Sequence, residues 1–127
     1  MKARQALTLL LLLSFPAIAV AGWVDWWLTP DQQGSALVKQ GRFLEAARVF
    51  DDPMHKGAAF FRGGDFESAA AVFGRIPSPE AAFNRGNSLV MLGKYEEAIN
   101  SYQAALESRP QWREAQENLV IARARKD

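Results

Sequence analysis

From Thr29 onward, apolar and polar positions fall into a pattern written three times. Each copy runs glycine, six residues, glycine, a charged residue, an aromatic, two residues, alanine, three residues, an aromatic. The copies are Gly34–Gly41–Arg42–Phe43–Ala46–Phe50, Gly57–Gly64–Asp65–Phe66–Ala69–Phe73 and Gly86–Gly93–Lys94–Tyr95–Ala98–Tyr102. Between the paired glycines lie apolar-rich stretches: Ala36-Leu37-Val38, Ala58-Ala59-Phe60-Phe61 and Ser88-Leu89-Val90-Met91-Leu92. After the second glycine the aromatic, alanine and aromatic fall at i, i+3 and i+7, one face of a helix. That glycine suits the end of the preceding helix, where a residue adopting positive φ closes the last turn. Helix starts are marked as well. Thr29-Pro30-Asp31-Gln32 supplies a capping hydroxyl, a proline in the first helical position and a glutamine three residues after the cap; Asp52-Pro53 and Ser78-Pro79-Glu80 repeat the device. Each copy therefore reads as helix, tight turn, helix. Repetition of one supersecondary unit means that each copy buries its apolar face against its neighbours.

Gly34, Gly57 and Gly86 lie mid-helix, where glycine costs about 1 kcal/mol against alanine. Three copies of a costly choice imply helix–helix contact that a Cβ would block. Ala46, Ala69 and Ala98 make the matching approach from the second helix, and the six repeated aromatics fill the space around these contacts. The first glycines are 23 and then 29 residues apart, so units one and two are compressed. Their second helices should be short, near Glu45–Asp51 and Glu67–Arg75. Gln111 to Lys126 reads as an amphipathic terminal helix with Ala115, Leu119 and Ala122 inward and Arg113, Glu114, Glu117 and Arg123 outward. Such a helix covers the open end of an array. Arg123, Arg125 and Lys126 at its end suit the helix dipole; a basic docking tail is the alternative.

The N-terminus changes the picture of where such a stack works. Lys2 and Arg4 precede an apolar run from Leu7 to Leu13, then Pro16 and the small residues Ala17-Ile18-Ala19-Val20-Ala21-Gly22. This is the pattern of a secretory signal peptide over residues 1–21, cleaved after Ala21. An uncleaved anchor is the alternative, because no charge falls between Ala6 and Val24 and such a length can span a bilayer. Export from a bacterial cell points to the periplasm. Without Lys2 and Arg4, thirteen basic residues face fourteen acidic ones, which leaves no electrostatic case for nucleic acid. There is no cysteine, so a disulfide framework, a thiolate metal site and a lipid-modified cysteine are all excluded. The Trp-rich segment over residues 22–28, with Trp23, Trp26 and Trp27, either caps the first unit's apolar end or rests at a membrane interface.

The third unit carries a resemblance over its whole length. Ala82-Phe83-Asn84-Arg85-Gly86-Asn87-Ser88-Leu89, Leu92-Gly93-Lys94-Tyr95-Glu96-Glu97-Ala98-Ile99, Tyr102, Ala105-Leu106 and Pro110 together resemble a tetratricopeptide repeat. Its small-residue, glycine, leucine, alanine, aromatic, alanine and proline positions fall on Ala82, Gly86, Leu89, Ala98, Tyr102, Ala105 and Pro110; Ala82 and Arg85 stand where the family often has tryptophan and leucine. The resemblance implies an all-α, right-handed superhelix of three helix-turn-helix units, about 29–51, 52–77 and 78–110, closed by the helix over 111–126. A narrower likeness covers Trp23 through Arg125. Trp26-Trp27-Leu28-Thr29-Pro30-Asp31-Gln32-Gln33-Gly34 and Phe50-Asp51-Asp52-Pro53-Met54-His55-Lys56-Gly57 resemble the periplasmic region of bacterial aerotolerance-type membrane proteins. Those join a von Willebrand factor A (VWA) domain to tetratricopeptide repeats. That likeness implies a role in an envelope complex with a VWA-domain membrane protein and, across the membrane, an AAA-type ATPase.

Catalytic chemistry finds little support. His55 is the only histidine, and no nucleophile or second metal ligand accompanies it in the sequence. Asp51-Asp52 reads as a cap with a solvated neighbour, Glu96-Glu97 as first-turn carboxylates, and Gly63-Gly64-Asp65 as a helix end and turn. The expectation is a non-catalytic scaffold without cofactor or metal, holding a protein or peptide in its concave groove. In the repeat family the first helices line that groove. Carried over, those positions are Asp31, Ser35 and Val38 in unit one, Met54, Ala58, Phe61 and Arg62 in unit two, Phe83, Asn87 and Val90 in unit three, and Glu117 and Ile121 on the terminal helix. Packing against neighbouring helices is the competing role for Phe61 and Phe83. Asn87 offers a backbone-gripping amide and Arg62 a partner for carboxylates. The family's chaperone-tail clamp needs a lysine and an asparagine where Asp31 and Ser35 stand, which argues against that ligand.

Overall fold

The computed structural model describes residues 25–127; the expected signal segment and Trp23 lie outside the described residues. A single 3-10 turn, Asp25–Trp27, leads into seven α-helices, and there is no strand among the described residues. They are α1 (Pro30–Lys39), α2 (Phe43–Val49), α3 (Pro53–Arg62), α4 (Phe66–Phe73), α5 (Pro79–Met91), α6 (Tyr95–Ser108) and α7 (Arg113–Lys126). Consecutive helices pack on one another from α1 to α7, and α7 also touches α5. The chain is thus three helix hairpins in series with one terminal helix, as the repeat pattern predicts.

Local chemistry sets every first helix. Thr29 forms a full capping box: its hydroxyl accepts from Gln32 N, and Gln32 Oε1 accepts from Thr29 N at 2.9 Å. Asp52 and Ser78 cap α3 and α5 through the backbone N–H groups of His55 and Ala81, each cap followed by proline. The three hairpin turns are copies of one another. Gly41, Gly64 and Gly93 take φ of 74°, 82° and 73°. The next residue in each turn, Arg42, Asp65 or Lys94, donates its N–H five residues back, to Leu37, Phe60 and Leu89 carbonyls at 2.9 Å. This is the Schellman closure, and it makes a left-handed residue obligatory at that point.

Each hairpin is keyed internally. A Cβ on Gly34 would lie 2.6 Å from the Phe50 ring, one on Gly57 2.6 Å from Phe73, and one on Gly86 2.5 Å from Tyr102. The mid-helix glycines are therefore seats for the second aromatic of the same unit. Ala46, Ala69 and Ala98 are fully buried beside them. The cores run across hairpin boundaries: α3 lends Ala59 to the cluster around Phe50, α5 lends Ala81 to that around Phe73, and α4 lends Ala70 to that around Tyr102. Ala115, Leu119 and Ala122 of α7 are buried, with Leu119 and Ala122 joining the last cluster.

Three details differ from the sequence expectation. The short second helices begin at Phe43 and Phe66 and end at Val49 and Phe73, a little earlier at both ends than expected. At the first junction the chain must turn directly into the next cap, and the N–H groups of Asp51 and Asp52 are held by Asp31 Oδ1 at 2.8 and 3.0 Å. The terminal helix starts at Arg113 rather than Gln111, because Arg109, preceding Pro110, leaves the helical conformation and Trp112 N closes a turn on its carbonyl at 3.1 Å. Finally, Trp26 and Trp27 do not cap the array; they are 87% and 78% exposed. Leu37 and Val38, apolar residues of the first unit, pack against its own core.

Candidate functional site

The first helices of units two and three and the terminal helix together frame a groove made of two adjoining cavities. The smaller, about 120 Å³, lies between α3 and α5 and is lined by Ala58, Phe61, Arg62, Phe73, Asn84 and Asn87. The larger, about 310 Å³, continues toward α7 past Phe61, Asn87, Val90, Met91, Tyr102, Asn118, Ile121 and Arg125. Phe61 and Asn87 line both, so the two form one channel. Its walls are apolar; among the described residues its polar groups are the amides of Asn84, Asn87 and Asn118 and the Tyr102 hydroxyl, and its two charged residues, Arg62 and Arg125, are both cations. No carboxylate lines it. Arg62 stands with its guanidinium carbon 4.4 Å from the centre of the Phe43 ring, which orients the cation without neutralising it.

A buried polar knot forms the floor. The Tyr102 hydroxyl donates to Asn87 Oδ1 at 2.7 Å, and Asn118 Nδ2 donates to the same oxygen at 3.0 Å. One carbonyl thereby ties α5, α6 and α7 together. Burial pushes the Tyr102 hydroxyl up to about 12, against smaller opposing effects of the Asn118 amide and the Arg125 charge. Asn87's acceptor is thus committed within the protein, and the donor side of its amide is what remains for a ligand.

Of the sequence candidates, the structure brings Phe61, Arg62 and Asn87 together, with Ala58, Val90 and Ile121 beside them. Phe61 also meets Phe66 edge-on at 5.2 Å. Phe83 stands elsewhere, 4.4 Å from Trp112 and 5.9 Å from Tyr102 between ring centres. Met54 packs against the Ala69–Phe73–Ala81 cluster. Ser35 is exposed on α1 and lines no part of the channel. Asp31 acts as the junction clasp described above, and its backbone hydrogen bonds from Asp52 and Asp51 hold its carboxyl below the usual range. Glu117 pairs with Arg113 at 2.8 Å. His55 is an exposed residue of α3, stacked on Phe50 with ring centres 5.4 Å apart and paired with Asp52. Asn84, Met91, Asn118 and Arg125 were missed. Asn118, Ile121 and Arg125 sit at i, i+3 and i+7, a stripe flanking the buried alanines of α7, so helical periodicity was the signal that could have found them.

The arrangement defines a helical-repeat array with an elongated channel suited to an extended ligand. Residues 79–112 match the model of the tetratricopeptide repeat family. Tetratricopeptide repeats are typically non-catalytic scaffolds that bind proteins or peptides. No curated protein matches the chain.

Proposed function

We propose that this chain is a non-catalytic, exported scaffold that holds an extended polypeptide segment along α3, α5 and α7, within a cell-envelope complex. The observation that carries the reading is the composition of the channel: an apolar wall at Phe61, three amides, and cations alone among its charges. Such a channel favours a segment that places an apolar side chain beside an acidic group. Amides match a peptide backbone, and guanidinium groups form charge-assisted bonds with carboxylates. The stretches from Trp26 to Gly34 and from Asp52 to Gly57, which resemble aerotolerance-type proteins, support the envelope as the place and a VWA-domain membrane protein as the partner.

Selection from a random peptide library tests the channel directly. Enriched peptides should carry an acidic residue or free carboxyl terminus next to an apolar residue, and Arg62→Ala with Arg125→Ala should weaken them about tenfold or more. These two side chains are better probes than Asn87, whose loss would also break the Tyr102 and Asn118 bonds. Selected peptides that lack acidic groups, or that bind the double variant equally, would remove the reading's support.

A second reading, attachment to a membrane through the N-terminus, is favoured by the exposure of Trp26 and Trp27, which only Asp25 separates from a charge-free run in the sequence. The mass of the native N-terminus decides between the two. A chain beginning at Gly22 excludes a retained anchor; a chain retaining residues 1–21 and resisting carbonate extraction establishes one.

A further inference from the structure

The residue just before the first glycine of each unit is polar: Gln33, Lys56 and Arg85. In the first two units a backbone carbonyl receives it. Gln33 Nε2 donates to the Leu28 carbonyl at 3.0 Å, and Lys56 Nζ donates to the Ala47 carbonyl at the end of α2. Ala70 holds in unit two the place that Ala47 holds in unit one, yet Arg85 does not reach it. Instead Arg85 Nη1 donates to Ser101 Oγ on α6 at 3.0 Å, its one hydrogen bond among the described residues, and no carboxylate pairs with it. The side chain runs over bare backbone: a Cβ on Gly74 would lie 3.2 Å from Arg85 Nε.

This half-buried cation overlooks a cleft of about 430 Å³ between α4 and α6, on a different face of α5 from the peptide channel. Arg75 and Lys94 line the cleft, as do Glu67 and Glu97, and none of the four forms an ion pair among the described residues. We propose that the cleft between α4 and α6 is a second binding site, which takes a carboxylate of a polypeptide partner on the Arg85 guanidinium. A guanidinium offers five N–H donors in a planar fork, and only one is spent here. The free edge matches the two oxygens of a carboxylate, and partial burial strengthens the pairing relative to open water. Arg75 and Lys94 draw an anion toward the cleft. Glu67 and Glu97 select its charge, because they repel a doubly charged phosphate more than a singly charged carboxylate. The site is independent of the channel proposed above and stands or falls separately from it.

The test reads the Arg85 Nε–H resonance of the full chain by 15N–1H NMR. Three probes are titrated at constant ionic strength: N-acetylglycine for a chain terminus, N-acetylglutamate amide for an acidic side chain, and inorganic phosphate. One or both carboxylates should shift the resonance with half-saturation at about 10–50 mM, the better one naming the source, while phosphate binds at least threefold more weakly. The Arg62 resonance should separate from this response. Backbone amides around the cleft supply the second reading, because Arg85→Lys keeps the charge but not the fork and should weaken their response at least fivefold. Glu67→Gln with Glu97→Gln, both at exposed positions, should bring phosphate level with the carboxylates. A resonance that does not saturate, an unchanged response in Arg85→Lys, or a preference for phosphate in the unaltered chain overturns the proposal.

Discussion

At Gly57 the absence of a side chain is what lets Phe73 close its hairpin. On an exposed helix, replacing glycine with alanine stabilises by up to about 1 kcal/mol. Here the added methyl would meet the ring 2.6 Å away, so Gly57→Ala should instead destabilise by about 1–3 kcal/mol in urea titration. Combining it with Phe73→Leu should recover part of that loss, because the clash and the ring are removed together. The three-fold recurrence of a costly glycine made this contact legible before any coordinates. The identity of its partner was not legible, since the sequence marks two aromatics per unit and only geometry shows that the second takes the seat. Tyr102 adds a polar consequence to the same position. Its folded value of about 12 lies above the ordinary value of 10.0. Its stabilising contribution is therefore complete below pH 10 and lost as pH rises toward 12. Tyr102→Phe should cost about 0.5–1.5 kcal/mol at neutral pH through the lost bond to Asn87, and should show a shallower alkaline decline in melting temperature.

Among elements, the caps and clasps decide where helices begin. Asp31 sits in the first turn of α1 yet serves the junction between α2 and α3, accepting from the N–H groups of Asp51 and Asp52. Its carboxyl is held below the ordinary 3.8, so its contribution is full above that value and disappears as pH falls through the folded one. Asp31→Asn should therefore reduce stability at neutral pH and flatten the acid limb of a melting-temperature profile; an unchanged limb would show that the clasp is not titrating. Asp52→Ala, which removes the α3 cap, should cost about 1 kcal/mol. Start signals of the Thr-Pro, Asp-Pro and Ser-Pro kind are local chemistry, which is why α1, α3 and α5 could be placed from sequence to the residue. The second helices could not. Arg42 and Lys94 provide no side-chain cap, and the lengths of α2 and α4 are set by where the next unit begins. Asp31's clasp across twenty residues has no local signature at all.

For the molecule as a whole, packing passes only from helix to helix, so the last element has one principal neighbour to lean on. Ending the chain after Gln111 would uncover the surface beneath Leu119 and Ala122 and take Trp112 from Phe83. The loss should be at least about 3 kcal/mol, given about 1.5–3 kcal/mol for each large buried side chain, and the melting temperature should fall by about 12–24 °C. The same truncation removes Asn118, Ile121 and Arg125, so a peptide selected on the full chain should lose affinity as well. The global architecture was readable because repetition announces itself. The channel was readable only in part: family positions pointed to Phe61, Arg62 and Asn87, but equally to Met54 and Phe83, which pack against the Ala69–Phe73–Ala81 cluster and against Tyr102 and Trp112 instead. Where a helix faces in a stack depends on the length of the helix before it, and that is a property of neighbours rather than of any one segment.

The unequal second helices carry one more consequence. α2 and α4 have seven and eight residues, whereas α6 has fourteen. Duplicating residues 79–112 would present a full-length partner on both sides of the new copy, and the array could grow there like a column gaining a drum. Inserting a second copy of unit one would set a stub against a long neighbour and leave bare apolar surface at the mismatch. Lineages and engineers alike can lengthen this protein at one place, just before its last helix.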